Sequence, residues 1–307
     1  MSKGVVVFDL DLTLGDFRVI DYFGLIYEPA LIAGRDSKTK EARDEDKKKW
    51  NNYYNDDNIK NYLLELRNNF EEALHKNPQI INRILRPDLN KLLEPLVKAY
   101  KKNKIEKFII YSNNSSMYSL HYAGREINRM FDTKIDFVYI DRTSKLRDEF
   151  DGDITGARSK TIKTIEKIIE HNIKKEDLLF LDDMIPKHED FDIFLNGTTN
   201  YINIPPYYSE IKDDELESIW NIFEKEFSNL THNLTHIKIK LQANNLDELK
   251  NKYLEYSHLR GPFIEYKPED KITNIITQQI QPYINHILTV KGGRKKKRTR
   301  KIKHRKV

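Results

Sequence analysis

Cysteine is absent from this chain of 307 residues. Its absence excludes disulfide bonds, thiolate metal sites and a cysteine nucleophile. Long apolar runs are also missing, since no stretch approaches the roughly 18 uninterrupted apolar residues of a membrane helix. The first apolar stretch, within residues 1–13, contains acidic residues, so we expect neither a secretory signal nor a membrane segment. An intracellular protein fits this composition.

Positive charge is unevenly distributed along the chain. The net charge is +5, yet residues 291–307 alone hold 11 lysines and arginines and no acidic residue. The other residues include 42 basic and 48 acidic side chains, so that part of the chain is mildly acidic. The basic character therefore belongs to the C-terminal stretch, hereafter the basic segment (291–307). It has few apolar residues, and we expect it to be disordered when free.

Five short apolar runs, rich in β-branched and aromatic residues, alternate with stretches of helical periodicity. The runs are 5–8 (VVVF), 108–111 (FIIY), 137–140 (FVYI), 178–181 (LLFL) and 201–204 (YINI). Runs that are apolar on both faces are typical of strands buried in a parallel sheet. Their alternation with helices predicts an α/β fold, a doubly wound five-stranded parallel sheet with helices on both faces.

The spacing of the runs predicts the domain organisation. Residues 1–206 are expected to form one α/β domain that is interrupted by an insertion over 15–85, in which a charged stretch at 34–58 precedes a helical stripe. The sequence leaves open whether this insertion closes over a site or lies aside. Residues 207–290 predict a mostly helical extension with a break at Pro282. Whether this extension packs on the core or forms a separate unit also stays open.

Polar residues follow three of the runs at the point where each strand should end. They are Asp9, Asp11 and Thr13 after the first run, Ser112 and Asn113 after the second, and Asp182 and Asp183 after the fourth. The carboxyl ends of parallel strands meet at one edge of a sheet, where ligands bind. Carboxylates so close together repel one another, so a counter-charge is expected. Mg²⁺, which prefers oxygen ligands, is one candidate, and Lys160 is another.

The order of these motifs resembles that of the haloacid dehalogenase superfamily. The resemblance rests on an apolar run followed by Asp9-x-Asp11-x-Thr13, on Ser112 after a second run, on Lys160, and on the pair Asp182-Asp183 after a fourth run. Lys160 stands 22 residues before that pair, a spacing typical of the family. The similarity extends over 1–206 apart from the insertion. It implies a Rossmann-like core and the chemistry of a phosphatase.

The resemblance also implies a role for each residue. Asp9 would be the nucleophile that forms an aspartyl-phosphate, and Asp11 the general acid and then the general base. Lys160, for which Lys145 and Lys163 are competitors, would stabilise the reacting charges. The implied phosphate-binding residues are Thr13, Ser112 and Asn113. The implied ligands of Mg²⁺ are Asp9, the backbone carbonyl of Asp11, and Asp182 or Asp183.

One branch of the superfamily is more similar than the rest. Residues 85–89 (LRPDL) and 108–113 (FIIYSN) resemble the phosphatases that act on the C-terminal domain of RNA polymerase II. This favours a phosphorylated protein as substrate. The chain departs from that branch at Leu12, where glutamate is usual, and in its longer insertion. Two alternatives stay open: a phosphatase for small molecules or nucleic-acid 3′-phosphates, and a catalytically silent scaffold that binds nucleic acid.

The basic segment has three interpretations. It could contact the phosphates of a nucleic acid, act as a nuclear localisation signal within 294–306, or serve only as a solubilising tail. Similar tails with two glycines followed by lysines and arginines occur on proteins of large DNA viruses. We expect a cytoplasmic or nuclear protein with no membrane partner.

Overall fold

The computed structural model describes residues 3–27, 57–114, 116–150, 153–154, 157–158, 160–183, 200–209, 211–229, 245–258 and 269–289. Its centre is an all-parallel sheet of five strands flanked by helices, which confirms the predicted doubly wound α/β fold. The strands of this sheet are β1 (Gly4–Phe8), β2 (Ile105–Tyr111), β3 (Phe137–Ile140), β6 (Leu178–Asp182) and β7 (Tyr201–Asn203). Their order is β3-β2-β1-β6-β7. A short antiparallel pair, β4 (Asp153–Ile154) and β5 (Ala157–Arg158), lies outside the sheet.

Helices form most of the connections between the strands. They are α1 (Arg18–Tyr27), α2 (Asp57–His75), α3 (Pro78–Ile84), α4 (Leu89–Lys101), α5 (Met117–Phe131), α6 (Lys145–Phe150), α7 (Ile162–Ile169), α8 (Asp213–Asn229), α9 (Leu246–His258), α10 (Glu269–Ile275) and α11 (Gln281–Thr289). A 3₁₀ turn at Lys175–Asp177 leads into β6. Across the described ranges, none of the helices combines the length and apolarity needed to cross a membrane.

The central strand divides the apolar interior into two cores because successive side chains of a strand point to opposite faces. Val6 and Phe8 belong to the large core, which also contains most of the helices. Val5 and Val7 belong to the small core on the other face. The small core consists of Val5, Val7, Ile109, Tyr111, Ile140, Ile165, Leu178 and Phe180.

The described parts of the insertion and of the helical extension both pack into the large core. Phe23 of α1 lies with its ring centroid 4.6 Å from that of Phe70 in α2. The same ring lies 5.0 Å from Phe223 in α8 and 5.0 Å from Tyr253 in α9. Aromatic pairs at these distances stabilise a core beyond the area that they bury. Here they join residues from both sides of the predicted 206/207 boundary, which answers the question that the sequence left open about the extension.

Pro282 does not break the C-terminal helix, contrary to the sequence prediction. The helical backbone runs from Glu269 to Thr289, with a wider π-helical turn at Ile276–Ile280 between α10 and α11. A proline inside an α-helix removes one N–H donor and its ring clashes with the preceding turn. The wider turn directly before Pro282 makes room for the ring, and the helix continues.

Two sequence predictions concern residues that lie wholly or partly outside the described ranges. The charged stretch at 34–58 is described only from Asp57 onward, where α2 begins. The basic segment lies wholly outside them, and so does most of the connection between β6 and β7.

Candidate active site at the carboxyl end of the sheet

The loop after β1 folds back tightly and presents its polar side chains at the end of the sheet. Asp9 continues the strand pairing, since its N–H donates to the carbonyl of Leu181 at 2.9 Å. Leu12 has a φ of 61°, a left-handed conformation that non-glycine residues seldom adopt. Its N–H donates to the carbonyl of Gly15 at 2.6 Å, which closes the turn. A Cβ on Gly15 would lie 2.1 Å from the carbonyl oxygen of Ile84, so only glycine fits there.

The side chain of Arg86 fixes the backbone of this loop through hydrogen bonds. It is 2% exposed, and one guanidinium nitrogen donates to the carbonyl of Thr13 at 2.7 Å. The other two nitrogens donate to the carbonyl of Pro205 at 2.9 Å and to the carboxylate of Asp88 at 3.0 Å. Arg86 belongs to the LRPDL motif, which alone gives it no role. Its contacts in the structure fix the backbone of the loop.

Three carboxylates meet beside the ammonium group of Lys160. Its Nζ lies 2.6 Å from Oδ1 of Asp9 and 2.9 Å from Oδ2 of Asp182. Asp9, Asp182 and Asp183 each offer one oxygen, and these oxygens lie within 4.8 Å of one another. The hydroxyl of Thr13 donates to Asp183 at 3.0 Å. These five residues come from both sides of the insertion. The carboxyl ends of the neighbouring strands β1 and β6 bring the three carboxylates together.

Lys160 owes its position to the start of α7. Thr161 is the N-cap of this helix, and its hydroxyl accepts a hydrogen bond from the N–H of Thr164 at 3.3 Å. The N–H of Thr161 donates to the hydroxyl of Tyr111 at 3.4 Å, and Lys160 Nζ lies 5.3 Å from the ring centroid of Phe180. Lys160 thus stands directly before the N-cap of the helix. The two competing lysines, Lys145 and Lys163, are exposed to solvent.

Burial and mutual repulsion dominate the electrostatics of this cluster. Burial raises the pKa of Asp9, and Asp182 adds to the rise although Lys160 opposes it. Burial and the charges of Asp9 and Asp182 raise the pKa of Asp183 to about 7. Burial lowers the pKa of Lys160, but the carboxylates of Asp182 and Asp9 outweigh it and hold that pKa above its ordinary value. Lys160 therefore stays charged at neutral pH.

Asp11 lies in a second acidic group next to this cluster. Its Oδ2 accepts a hydrogen bond from the side-chain amide of Asn114 at 3.1 Å. Its Oδ1 is buried and has no hydrogen-bond partner within the described part of the chain. Burial, followed by the charges of Asp21 and Asp9, raises the pKa of Asp11 well above its ordinary value. A carboxyl group with a raised pKa is suited to donating a proton near neutral pH.

The loop after β2 brings Ser112 to the same end of the sheet. Ser112 is 1% exposed, and its hydroxyl accepts from the N–H of Asn114 at 3.0 Å. The side-chain oxygen of Asn113 accepts from Arg147 at 2.8 Å, and Arg147 also donates to the carbonyl of Ser112 at 2.7 Å. Its guanidinium lies 5.0 Å from the ring centroid of Tyr111. Arg147 supports the backbone of this loop, a role that sequence reasoning missed.

The structure therefore brings Asp9, Thr13, Lys160, Asp182 and Asp183 into direct contact or within a few ångströms. Asp11 and Ser112 lie on the adjoining loops, whereas the Asn113 side chain is bonded to Arg147. The roles assigned to these residues in catalysis, phosphate binding and metal binding stay predictions. The sequence did not reveal the supporting roles of Asp21, Arg86 and Arg147, because each of them acts through contacts between distant segments.

Comparisons of the chain with protein-family models, with curated proteins and with solved structures found no match. The resemblance to the haloacid dehalogenase superfamily thus rests on the motifs alone.

Proposed function

We propose that this protein is a Mg²⁺-dependent phosphatase that hydrolyses a phosphomonoester through an aspartyl-phosphate on Asp9. The observation that carries the proposal is the contact of Lys160 with both Asp9 and Asp182, with Asp183 alongside, at the carboxyl end of the central strands. A nucleophilic carboxylate beside a buried ammonium group is suited to attack on an anionic phosphoryl group, because the ammonium offsets the repulsion between them.

The residues of the cluster fit a divalent cation. Three ionised carboxylates would exceed the single charge of Lys160 by two. Burial, followed by the charges of Asp9 and Asp182, raises the pKa of Asp183 to about 7. Mg²⁺ binds oxygens at about 2.0–2.1 Å, so the oxygens of one site lie within roughly 4 Å of one another, close to the spacing here. Asp9 and Asp183, together with the backbone carbonyl of Asp11, would hold the ion. When bound, it would neutralise charge on the phosphoryl oxygens.

The chain's own residues account for both chemical steps. One carboxylate oxygen of Asp9 attacks phosphorus, the ester P–O bond breaks, and the leaving oxygen takes the proton of Asp11. A water molecule then attacks the phosphorus of the aspartyl-phosphate and gives a proton to the carboxylate of Asp11, while the P–O bond to Asp9 breaks. Inorganic phosphate leaves, and Asp9 and Asp11 return to their starting states. Lys160 offsets the negative charge on Asp9 and on the phosphoryl group throughout.

The substrate class is a narrower proposal. The similarity of residues 85–89 and 108–113 to phosphatases of the RNA polymerase II C-terminal domain favours a phosphoserine or phosphothreonine protein. A small-molecule phosphate and a nucleic-acid 3′-phosphate are the alternatives. A panel containing a phosphoserine peptide, a sugar phosphate, a nucleotide and a 3′-phosphorylated oligonucleotide would separate these substrate classes by their relative kcat/KM.

The first test uses para-nitrophenyl phosphate with the full-length protein, in Mg²⁺ and after chelation. We expect hydrolysis that requires the ion and that the Asp9→Asn variant loses by at least about 10³-fold, since removal of a nucleophile abolishes the covalent route. The matched control is Asp136→Asn. Asp136 is an exposed residue directly before β3, at the opposite end of the sheet, and pairs with Lys107 at 3.3 Å. This control should retain full activity.

Two outcomes would contradict the proposal. One is a wild-type protein that hydrolyses none of the phosphate esters in the panel, which would favour the scaffold alternative. The other is hydrolysis that survives Asp9→Asn undiminished, because the site described here would then not be the source of the activity.

A further inference from the structure

The side chain of Asn114 joins Asp11 to a second carboxylate, Asp21 of α1. Its amide nitrogen lies 3.1 Å from Oδ2 of Asp11 and 3.1 Å from Oδ2 of Asp21. Its amide oxygen accepts from the N–H of Ser116 at 2.7 Å. This orientation is chemically determined, since the carboxylates offer acceptors and the backbone N–H offers a donor. Both hydrogens of the amide are therefore directed at carboxylate oxygens.

Asp21 is itself anchored from α5. The hydroxyl of Ser119 donates to Oδ1 of Asp21, and Ser119 is fully buried. Asp21 is 7% exposed and has no described role in the cluster around Lys160. A buried carboxylate that accepts from both Ser119 and Asn114 restricts rotation of the Asn114 amide. The amide in turn restricts the carboxyl group of Asp11.

We propose that Asn114, oriented by Asp21, is a positioning residue that holds the carboxyl group of Asp11 in place for proton delivery to the leaving group. The inference rests on the proposed phosphatase function. The Asn114 amide links Oδ2 of Asp11 to the anchored carboxylate of Asp21, and this link restricts the carboxyl group of Asp11 to one orientation. A general acid transfers its proton efficiently only when it is held within reach of the leaving oxygen.

The proton balance of the first step involves Asp11 directly. While Asp9 attacks phosphorus and the ester P–O bond breaks, the proton of Asp11 moves to the departing oxygen. Asp11 is left as a carboxylate whose Oδ2 still accepts from Asn114. That hydrogen bond becomes charge-assisted and therefore stronger in the product of this step. Asn114 is thus proposed to act on the reaction through Asp11.

The alternative is that this network only joins α1 to the start of α5. A structural role would lower the activity on every substrate by the same factor. A role in proton delivery would lower it most where the leaving oxygen needs a proton. An alkyl phosphate has a poor leaving group that depends on the general acid, whereas para-nitrophenolate leaves readily without one.

The experiment measures kcat/KM for glycerol 2-phosphate and for para-nitrophenyl phosphate with the full-length protein. We expect Asn114→Ala to reduce kcat/KM for the alkyl ester roughly 10- to 100-fold more than for the aryl ester. Asp11→Asn gives the largest such difference and serves as the reference. The matched control is Asn128→Ala. Asn128 lies near the other end of α5, and its side chain donates to the carbonyl of Ile135 at 3.0 Å and accepts from the N–H of Ile135 at 2.7 Å.

Asn128→Ala should lower the melting temperature without changing the ratio of alkyl to aryl activity. If Asn114→Ala does not fold, Ser119→Ala provides the test, since it removes only the hydroxyl that anchors Asp21. It should show a smaller loss that is again confined to the alkyl ester. An equal loss on both esters in the folded variants would overturn the inference while leaving the phosphatase function intact. A wild-type protein that is inactive on both esters would instead overturn the function itself.

Discussion

The two faces of the sheet differ in how many helices cover them and in which charged residues of the site they supply. The large core contains nearly all the helices, including α1, α2, α8 and α9 around the ring of Phe23. The small core is covered by α7, from which Ile165 is fully buried against the strands. The small-core face nevertheless supplies two buried cations, Lys160 beside Phe180 and Arg147 beside Tyr111. Most of the buried apolar packing thus lies on the large-core face, whereas the two buried cations lie on the small-core face.

The largest effect is expected from removing the cation on the small-core face. Lys160→Met should reduce kcat/KM on para-nitrophenyl phosphate by roughly 10²- to 10³-fold, because the ammonium no longer offsets charge at Asp9. In metal-free buffer it should also cost about 3–5 kcal/mol of unfolding free energy, since Asp9 and Asp182 lose their buried partner. Urea denaturation with and without Mg²⁺ measures this, and the ion should restore part of the loss. If Lys160→Met changed neither activity nor stability, the small-core face would not supply a charge that the site needs.

A matched pair of isoleucine deletions compares the two cores directly. Ile165 in the small core and Ile219 in the large core are both fully buried. Ile165→Ala and Ile219→Ala should each cost about 2–5 kcal/mol of unfolding free energy. Only Ile165→Ala should also reduce the specific activity of the folded protein, roughly 10-fold, because α7 positions Lys160. The comparison fails if both variants lose activity to the same extent once the folded fraction is taken into account.

The smallest expected effect is the pH dependence of stability that comes from His121, a half-buried residue of α5. Burial, followed by the charges of Arg125 and Arg67, lowers the pKa of His121 to about 4, and its ring packs on Tyr139 with centroids 4.3 Å apart. Between pH 6.5 and 4 the unfolded chain binds a proton here and the folded protein does not. Stability from His121 is therefore complete above pH 6.5 and is lost as the pH falls toward 4.

His121→Gln should reduce the loss of unfolding free energy at acid pH by about 1–2 kcal/mol, after allowance for partial exposure. Asp21, whose pKa burial raises to about 6, acts in the opposite direction because its folded carboxyl group takes up a proton first. The measurement is therefore the difference in unfolding free energy between wild type and variant at pH 7 and pH 4.5. A difference that does not change with pH would exclude His121 as the cause.

Much of the fold could be predicted because local patterns determine it. The bounds of the five strands lie within three residues of the predicted runs, since short apolar runs between helical stretches have few other packing solutions. The clustering of Asp9, Asp182 and Asp183 followed from one topological rule about parallel strands. Lys160 followed from spacing within a family resemblance. Composition alone would not have distinguished it from Lys145 or Lys163.

The remaining features could not be predicted because they depend on contacts between distant segments. The bond from Arg86 to the carbonyl of Thr13 crosses 73 residues, and the link from Asn114 to Asp21 crosses 93. Neither leaves a periodic signal in the sequence. The π-helical turn before Pro282 is another example, because proline predicts a break and only the surrounding packing reveals that the helix continues.

The end of α11 and the acidic cluster lie at opposite ends of the sheet. Tyr283 donates to the carbonyl of Val5, and the carbonyl of Leu288 accepts at 3.5 Å from Lys104, the residue directly before β2. The helix therefore ends at Thr289 beside the amino end of the sheet. Asp9 follows the five-residue strand β1, which extends roughly 16 Å toward the carboxyl end. A label attached at Thr289 would therefore leave the acidic cluster unobstructed.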